Sequence, residues 1–286
     1  MEQIKEKTKK KISIAHSVDA DDAFMFYALT ENIISSGDFE ITNVLKDIQT
    51  LNQESKNQKY DVQAISFFAY PEIENECQLL SCGGSLGNNY GPTVIGKSKV
   101  GIEKLIGKTI AVPGDKTTAY LLLKLLLKDF TPVPVPFDQI IEKVSSGEFE
   151  YGLIIHEGQL SFKDKGLVEI VDLGKWWYKE TKLPVPLGGN VIKRDFPNET
   201  KSKVNSLIRD SIAYALNHKD EVIPKVTKYA RDISGDQKLV SKFVGMYVNE
   251  YTLDYGKDGK KAIELLYKKA FNAGLIAKVP QLDFVV

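Results

Sequence analysis

A histidine directly after an apolar run is the sharpest chemical feature of this chain. In Gly152-Leu153-Ile154-Ile155-His156-Glu157-Gly158 the residues before His156 read as a buried strand, which puts the imidazole at the strand's C-terminal end. Open α/β sheets bind ligands at that end, and an imidazole near neutral pH can take or give a proton. The competing role is a core histidine satisfied by hydrogen bonds. His16 also ends an apolar run and competes for the same chemistry, whereas His218 lies in a polar helical stretch and reads as surface.

A second feature joins strand to helix. In Ala111-Val112-Pro113-Gly114-Asp115-Lys116-Thr117-Thr118-Ala119 an apolar strand runs into a glycine turn, and a Leu-rich helix starts at the threonines. Free N–H groups and the helix dipole attract a carboxylate or phosphate there, and the Thr117 and Thr118 hydroxyls can add donors. A threonine that simply caps the helix is the alternative. The Gly-Lys-Ser/Thr ending of a Walker loop is missing.

Asp19-Ala20-Asp21-Asp22 precedes Phe24-Met25-Phe26-Tyr27. Carboxylates of this kind can hold Mg²⁺ or Ca²⁺, but no further ligands stand at fixed spacing. Capping of a helix N-terminus is the expected role, and no metal is expected. Ser66 follows the apolar run 62–65, where its side chain and backbone can reach a cleft, and Ser85 opens a Gly- and Asn-rich turn able to present backbone to a ligand. Trp176 and Trp177 can stack on an aromatic ligand or pack a core. Cys82 has no activating partner nearby in sequence.

These residues need a scaffold. Residues 12–15, 63–69, 93–95, 109–112, 152–155, 168–171 and 190–192 read as strands, and residues 22–34 and 118–128 as helices. Such alternation predicts α/β layers with largely parallel pairing. After residue 191 the pattern turns helical, with Val204, Leu207, Ile208, Ile212 and Ala215 and then Ile263, Leu266 and Ala270 at helical spacing. Two stretches, residues 83–96 and 184–189, read as domain crossings around a small α/β block. Two crossings imply a discontinuous first lobe, residues 1–94 with 194–286, and an inserted second lobe, residues 95–193. That is a two-lobed α/β architecture of the type II periplasmic-binding-protein kind, with a cleft between lobes that close on a ligand.

Composition narrows the function classes. The chain has 286 residues, with 38 basic residues balanced by 38 acidic ones, so it lacks the basic excess of a general nucleic-acid binder. No apolar run reaches membrane-spanning length, and the charged start, residues 1–11, does not lead into a signal-peptide core. Two cysteines in a chain of this length read as free thiols of a cytoplasmic protein. The expected partner is one small anionic molecule, with no nucleic acid and no membrane. No oligomeric state follows from the residues.

Several segments in order resemble one family. They are Ser66-Phe67-Phe68-Ala69-Tyr70, Ala111-Val112-Pro113-Gly114 with Thr117-Thr118-Ala119-Tyr120, Gly152 to Glu157, Asp172-Leu173-Gly174-Lys175-Trp176-Trp177, and Leu183 to Gly189. Together they resemble the 1,4-dihydroxy-6-naphthoate synthases of the futalosine route to menaquinone. The resemblance implies the two-lobed fold and a carbon–carbon lyase without a cofactor. That enzyme splits cyclic dehypoxanthinyl futalosine into 1,4-dihydroxy-6-naphthoate and dihydroxyacetone. It implies His156 as base, and substrate contacts at Ala64, Ile65, Ser66, Thr118 and Ala119. Thr117, Ser17, Asp22 and Ser85 complete the expected substrate-binding set. The chain departs from the family pattern at Asp19, where Cys is common, and at Asp21, where Asn is common. Ala64 stands for Lys and Gln159 for Arg. The Asp21, Ala64 and Gln159 departures make the expected cleft less positive. The alternatives are a non-catalytic binding protein for a small carboxylate on the same fold, and the related chorismate dehydratase.

Overall fold

The computed structural model describes residues 9–286; residues 1–8 of the charged start lie outside the described residues. Among the described residues eleven strands form two sheets. In chain order they are β1 (Lys10–His16), β2 (Phe39–Leu45), β3 (Val62–Ser66), β4 (Cys77–Leu79), β5 (Ser85–Gly87), β6 (Thr93–Gly96), β7 (Thr109–Val112), β8 (Thr131–Pro134), β9 (Tyr151–Ile154), β10 (Val168–Asp172) and β11 (Val185–Lys193). The first sheet has the order β2-β1-β3-β11-β4, with β5 also paired to β11. The second has the order β10-β6-β9-β7-β8. The fold is the two-lobed α/β kind expected.

Pairing is mixed rather than largely parallel. β1 runs parallel to β2 and β3, and β7 parallel to β8 and β9. β11 is antiparallel to β3, β4 and β5, and β6 is antiparallel to β9 and β10. The reason is topological. β6 leads out of the first sheet and β11 leads back into it, and each meets its neighbours head to tail. Because β11 lies wholly in the first sheet, the return crossing precedes Val185 rather than following Lys193. The glycines of residues 184–189, read from sequence as a crossing, are mostly strand.

Other differences have local causes. β2 is half exposed along its length and its alternation of Phe39 and Ile41 with Glu40 and Thr42 stops at Asn43, and β8 is an edge strand of the sequence Thr-Pro-Val-Pro, a place where prolines cost no ladder bond. The first helix spans Ala20–Thr30, not residues 22–34, because Asn32 turns left-handed at φ +55°. The Leu-rich helix spans Thr118–Leu126. The helical last third is confirmed by Asn198–Asn217, Gln237–Tyr247 and Gly256–Asn272, whose apolar stripes carry Ile208, Ile212, Val244, Ile263 and Leu266 into the core.

One crossing is packed backbone on backbone. Gly174 opens the helix Leu173–Thr181, and a Cβ there would lie 2.0 Å from the Tyr90 carbonyl oxygen and 2.5 Å from the Gly91 nitrogen. Leu173 N–H donates to the Pro92 carbonyl at 2.8 Å in the same place. Backbone cannot step aside as a flexible side chain can. Gly174→Ala is therefore expected to destabilise the protein by roughly 1–3 kcal/mol, read as a drop in denaturant midpoint at unchanged slope. A midpoint equal to wild type would contradict this packing.

Candidate functional site

Strand ends and glycine turns from both lobes meet around one cavity of about 770 Å³ of atom-free space, part of it open to solvent. This is the size range of small-molecule sites. From the first lobe come Ser17, Asp19, Asp21 and Asp22 after β1, Ala64, Ile65 and Ser66 of β3, and Ser85 of β5. Thr117, Thr118 and Ala119 come from the second lobe. The substrate-binding residues expected from sequence are thus all on its walls. His156 is not. Ile155 lines the cavity and the His156 ring lies one residue deeper, 1% exposed.

The imidazole of His156 is held at both nitrogens. Nε2 donates to the Phe137 carbonyl at 3.0 Å, and Nδ1 accepts the Gly158 N–H at 3.0 Å. A carbonyl can only accept, so this pair of bonds sets the neutral tautomer with its lone pair on Nδ1. A charge on His156, if it were protonated, would favour the ionised form of Asp19. His16, the competing histidine, stacks on Phe26 at 4.3 Å and gives Nδ1–H to the Ser17 carbonyl. Burial holds its pKa down to about 4, so it stays neutral, and it lies outside the cavity wall.

The carboxylates at the floor do not cap their helix in the expected way. Asp19 occupies the N-cap position without a side-chain bond to the helix, and its Oδ2 accepts instead from the Ser17 hydroxyl at 2.7 Å. Asp22 reaches back to the Ser17 N–H at 2.5 Å. Asp19 and Asp21 line the cavity and are partly buried, and Asp22 is buried. Burial raises all three carboxyls, that of Asp22 to about 7, with the Asp19 charge adding to its rise. Asp21 is pushed well above the usual range, first by burial and then by the neighbouring Asp22, Asp19 and Glu157 charges. Among the described residues no group of three His, Cys, Asp or Glu side chains is arranged to hold a metal ion.

The threonines divide their work. Thr117 caps, its hydroxyl accepting the Tyr120 N–H at 3.3 Å and donating to the Gly114 carbonyl at 2.9 Å. The Thr118 hydroxyl donates to Leu187 O at 2.5 Å and accepts the Phe68 N–H at 3.2 Å, tying the second lobe to β11 and to the end of β3. Thr118 and Ala119 are the first two helical positions, so their N–H groups have no acceptor within the helix and are the anion-seeking donors of this wall.

Contacts across the cleft hold the lobes together. Gln49 Nε2 donates to Asp115 at 2.8 Å, Asn52 Nδ2 donates to the Lys116 carbonyl at 3.3 Å, and Lys116 pairs with Glu72 at 2.6 Å. Asn52 also positions Ser66, its Oδ1 accepting the Ser66 N–H at 2.8 Å and its Nδ2 donating to the Ser66 hydroxyl at 3.0 Å. On the other side the Tyr247 hydroxyl donates to Gln159 Oε1 at 2.8 Å. Asn52 and Tyr247 were not singled out from sequence, because neither carries a local motif; each is brought to the cleft by its helix. Gly83, Gly188, Gly189 and Asn190 line the cavity too, and only their glycine density was visible. Trp177 is buried and donates its indole N–H to the Pro184 carbonyl at 3.0 Å, which is packing. Cys82 is buried with its thiol pushed up to about 12, so it carries no thiolate.

A sequence profile for menaquinone biosynthesis matches residues 12–272, nearly the whole chain. The chain belongs to the menaquinone-biosynthesis family. Two relatives are named 1,4-dihydroxy-6-naphthoate synthase. The one from Thermus thermophilus is 37% identical over 93% of this chain and 96% of its own length. The one from Streptomyces coelicolor is 32% identical over 93% of this chain and 94% of its own length. A crystal structure of a protein from Archaeoglobus fulgidus is 45% identical and superposes with a TM-score of 0.89 over 93% of this chain and 98% of that one. The ligand-binding component of an ABC-type import system from Staphylococcus aureus shares the fold at 12% identity, with a TM-score of 0.71 over 97% of each chain. The relatives with such names are synthases, and this chain, a member of the menaquinone-biosynthesis family, matches them over nearly its whole length. Among the described residues no helix is long and apolar enough to cross a membrane.

Proposed function

We propose that this chain is a carbon–carbon lyase that cleaves cyclic dehypoxanthinyl futalosine to 1,4-dihydroxy-6-naphthoate and dihydroxyacetone, with His156 as general base and no cofactor. One observation carries the reading. In a chain of the menaquinone-biosynthesis family, Ala64, Ile65 and Ser66 of β3 meet Thr118 and Ala119 of the second lobe on a single cavity. These are the positions that the family resemblance gives to substrate contact.

In this reading the lobes close over the substrate and exclude water, which fixes its sugar-derived part near His156. The Thr118 and Ala119 N–H groups take the carboxylate of the aromatic part. His156 accepts a proton from a carbon or hydroxyl of the sugar-derived part through Nδ1, releasing the Gly158 N–H as it does so. The bond to the three-carbon fragment then breaks as the ring becomes aromatic, the fragment takes up the proton held by His156 to leave as dihydroxyacetone, and aromatisation supplies the driving force. The enzyme works in the cytoplasm on this one small anionic substrate, without nucleic-acid or membrane partners.

The test is an assay of purified protein with cyclic dehypoxanthinyl futalosine. Release of 1,4-dihydroxy-6-naphthoate is the expected result. Tight binding without product would favour a binding protein, and turnover of chorismate instead would favour the dehydratase.

A further inference from the structure

The cleft holds a fixed hydrogen-bond acceptor that no described residue satisfies. Asn190 is 1% exposed and lines the cavity from β11, paired with Ala64 of β3. Its Nδ2 donates to the Gly83 carbonyl at 3.1 Å, and its Oδ1 has no hydrogen-bond partner among the described residues. The amide cannot be turned round, because a carbonyl oxygen only accepts and the NH₂ end must face Gly83.

Gly83 suits this contact. Its φ is +77°, and a Cβ there would lie 2.1 Å from Asn190 Nδ2. Its N–H donates to the Thr252 carbonyl at 2.7 Å, so the acceptor that orients Asn190 is itself tethered. The Asn190 main-chain carbonyl accepts the Leu80 N–H at 2.9 Å on the neighbouring strand. The side chain is therefore held from both sides while Oδ1 stays unpaired. A buried amide oxygen without a partner costs about 1–3 kcal/mol, a cost that a donor arriving from a ligand removes. Asp19 Oδ1 is a second buried acceptor without a partner among the described residues, on a residue lining the same cavity. Both atoms call for donors on the ligand, which hydroxyls supply and a carboxylate does not.

We infer that Asn190 is a specificity-determining residue that accepts a hydrogen bond from a hydroxyl of the substrate, an assignment that rests on the lyase reading above. It orients the ligand. The hydroxyl-bearing, sugar-derived part lies against β11 and Asp19, and the carboxylate end is left to the Thr118 and Ala119 N–H groups.

Two variants test it, Asn190→Leu, which keeps the volume and removes the acceptor, and Asn190→Ala, which admits water to the gap. With cyclic dehypoxanthinyl futalosine the Leu variant is expected to raise KM roughly 10- to 100-fold, with kcat much less affected and the Ala variant in between. A folded Leu variant with KM within about twofold of wild type overturns the assignment. If wild type gives no turnover, the lyase reading has failed, and Asn190 is then judged by a crystal structure of the wild-type protein with added dihydroxyacetone. A hydroxyl of that probe on Oδ1 supports the acceptor role; a protein donor there, or a water that the probe does not displace, or no donor at all, overturns it. The same structure decides the matter if neither variant folds.

Discussion

Replacing His156 by alanine is expected to lower kcat by roughly 10²–10⁴-fold, the usual contribution of a well-placed base, with little change in substrate affinity. The structure makes this a demanding test, because the ring is also a packing element. Removing it leaves the Phe137 carbonyl and the Gly158 N–H without their partner, so some loss of stability accompanies any effect on rate. His156→Gln separates the two roles. Its amide can keep a bond to one of these groups yet cannot accept a proton near neutral pH. A base predicts that both variants bind substrate and neither turns it over. A purely structural histidine predicts that the Gln variant, once folded, turns over at close to the wild-type rate. Single-turnover rates on the folded fraction, with thermal unfolding run in parallel, distinguish these outcomes.

The second large effect concerns the carboxyls of the cleft floor. Burial raises the Asp22 pKa from its ordinary 3.8 to about 7, and the Asp19 charge adds to the rise. The folded state therefore binds a proton that the unfolded chain has already lost between pH 4 and 7. Stability from this group is fully present below the unfolded value and is lost as pH rises through the folded one. The ionised form above pH 7 costs on the order of 4 kcal/mol relative to the protonated form. Asp22→Asn keeps an acceptor for the Ser17 N–H and removes the charge. It is expected to be more stable than wild type at pH 8 and to lose that advantage by pH 4, read from urea unfolding at a series of pH values. Asp19 and Asp21 are raised as well, and the Asp22 charge is part of what raises Asp21, so the difference between the two proteins reports Asp22 together with the relief of Asp21. A gain of equal size at both pH values would show that Asp22 does not ionise in this window. Stability given up at a ligand site is a common accompaniment of function.

Much of the site was legible because strand-end chemistry is local. Gly152 to His156 and Gly114 to Ala119 each contain a strand, its end and the residues that follow, so a reader of the sequence can place Thr117, Thr118 and Ala119 at a helix start. Competing roles for one residue were harder to separate. Thr117 and Thr118 are adjacent and alike, yet one caps the helix and the other bridges to Leu187 and Phe68. Which does which depends on the strand lying opposite. The Asp19 side chain was expected to cap and turns instead to the Ser17 hydroxyl. Asn52, Asn190 and Tyr247 carried no signal, since an isolated polar residue in a helix or strand reads the same wherever its side chain ends up.

What the sequence by itself determined about this protein is its layer type, its helical last third, its family and a set of residues on both sides of the cleft. These follow from hydrophobic period, glycine turns and short ordered motifs, all properties of neighbours along the chain. Tertiary structure alone decided the antiparallel entry of β11 beside β3, and through it the meeting of Asn190 with Gly83, 107 residues apart. It also decided that Ile155, rather than His156, forms the cavity surface. The physical reason is the same in both cases. Strand direction and side-chain facing are settled by which partner completes each backbone and side-chain hydrogen bond, and those partners come from distant parts of the chain.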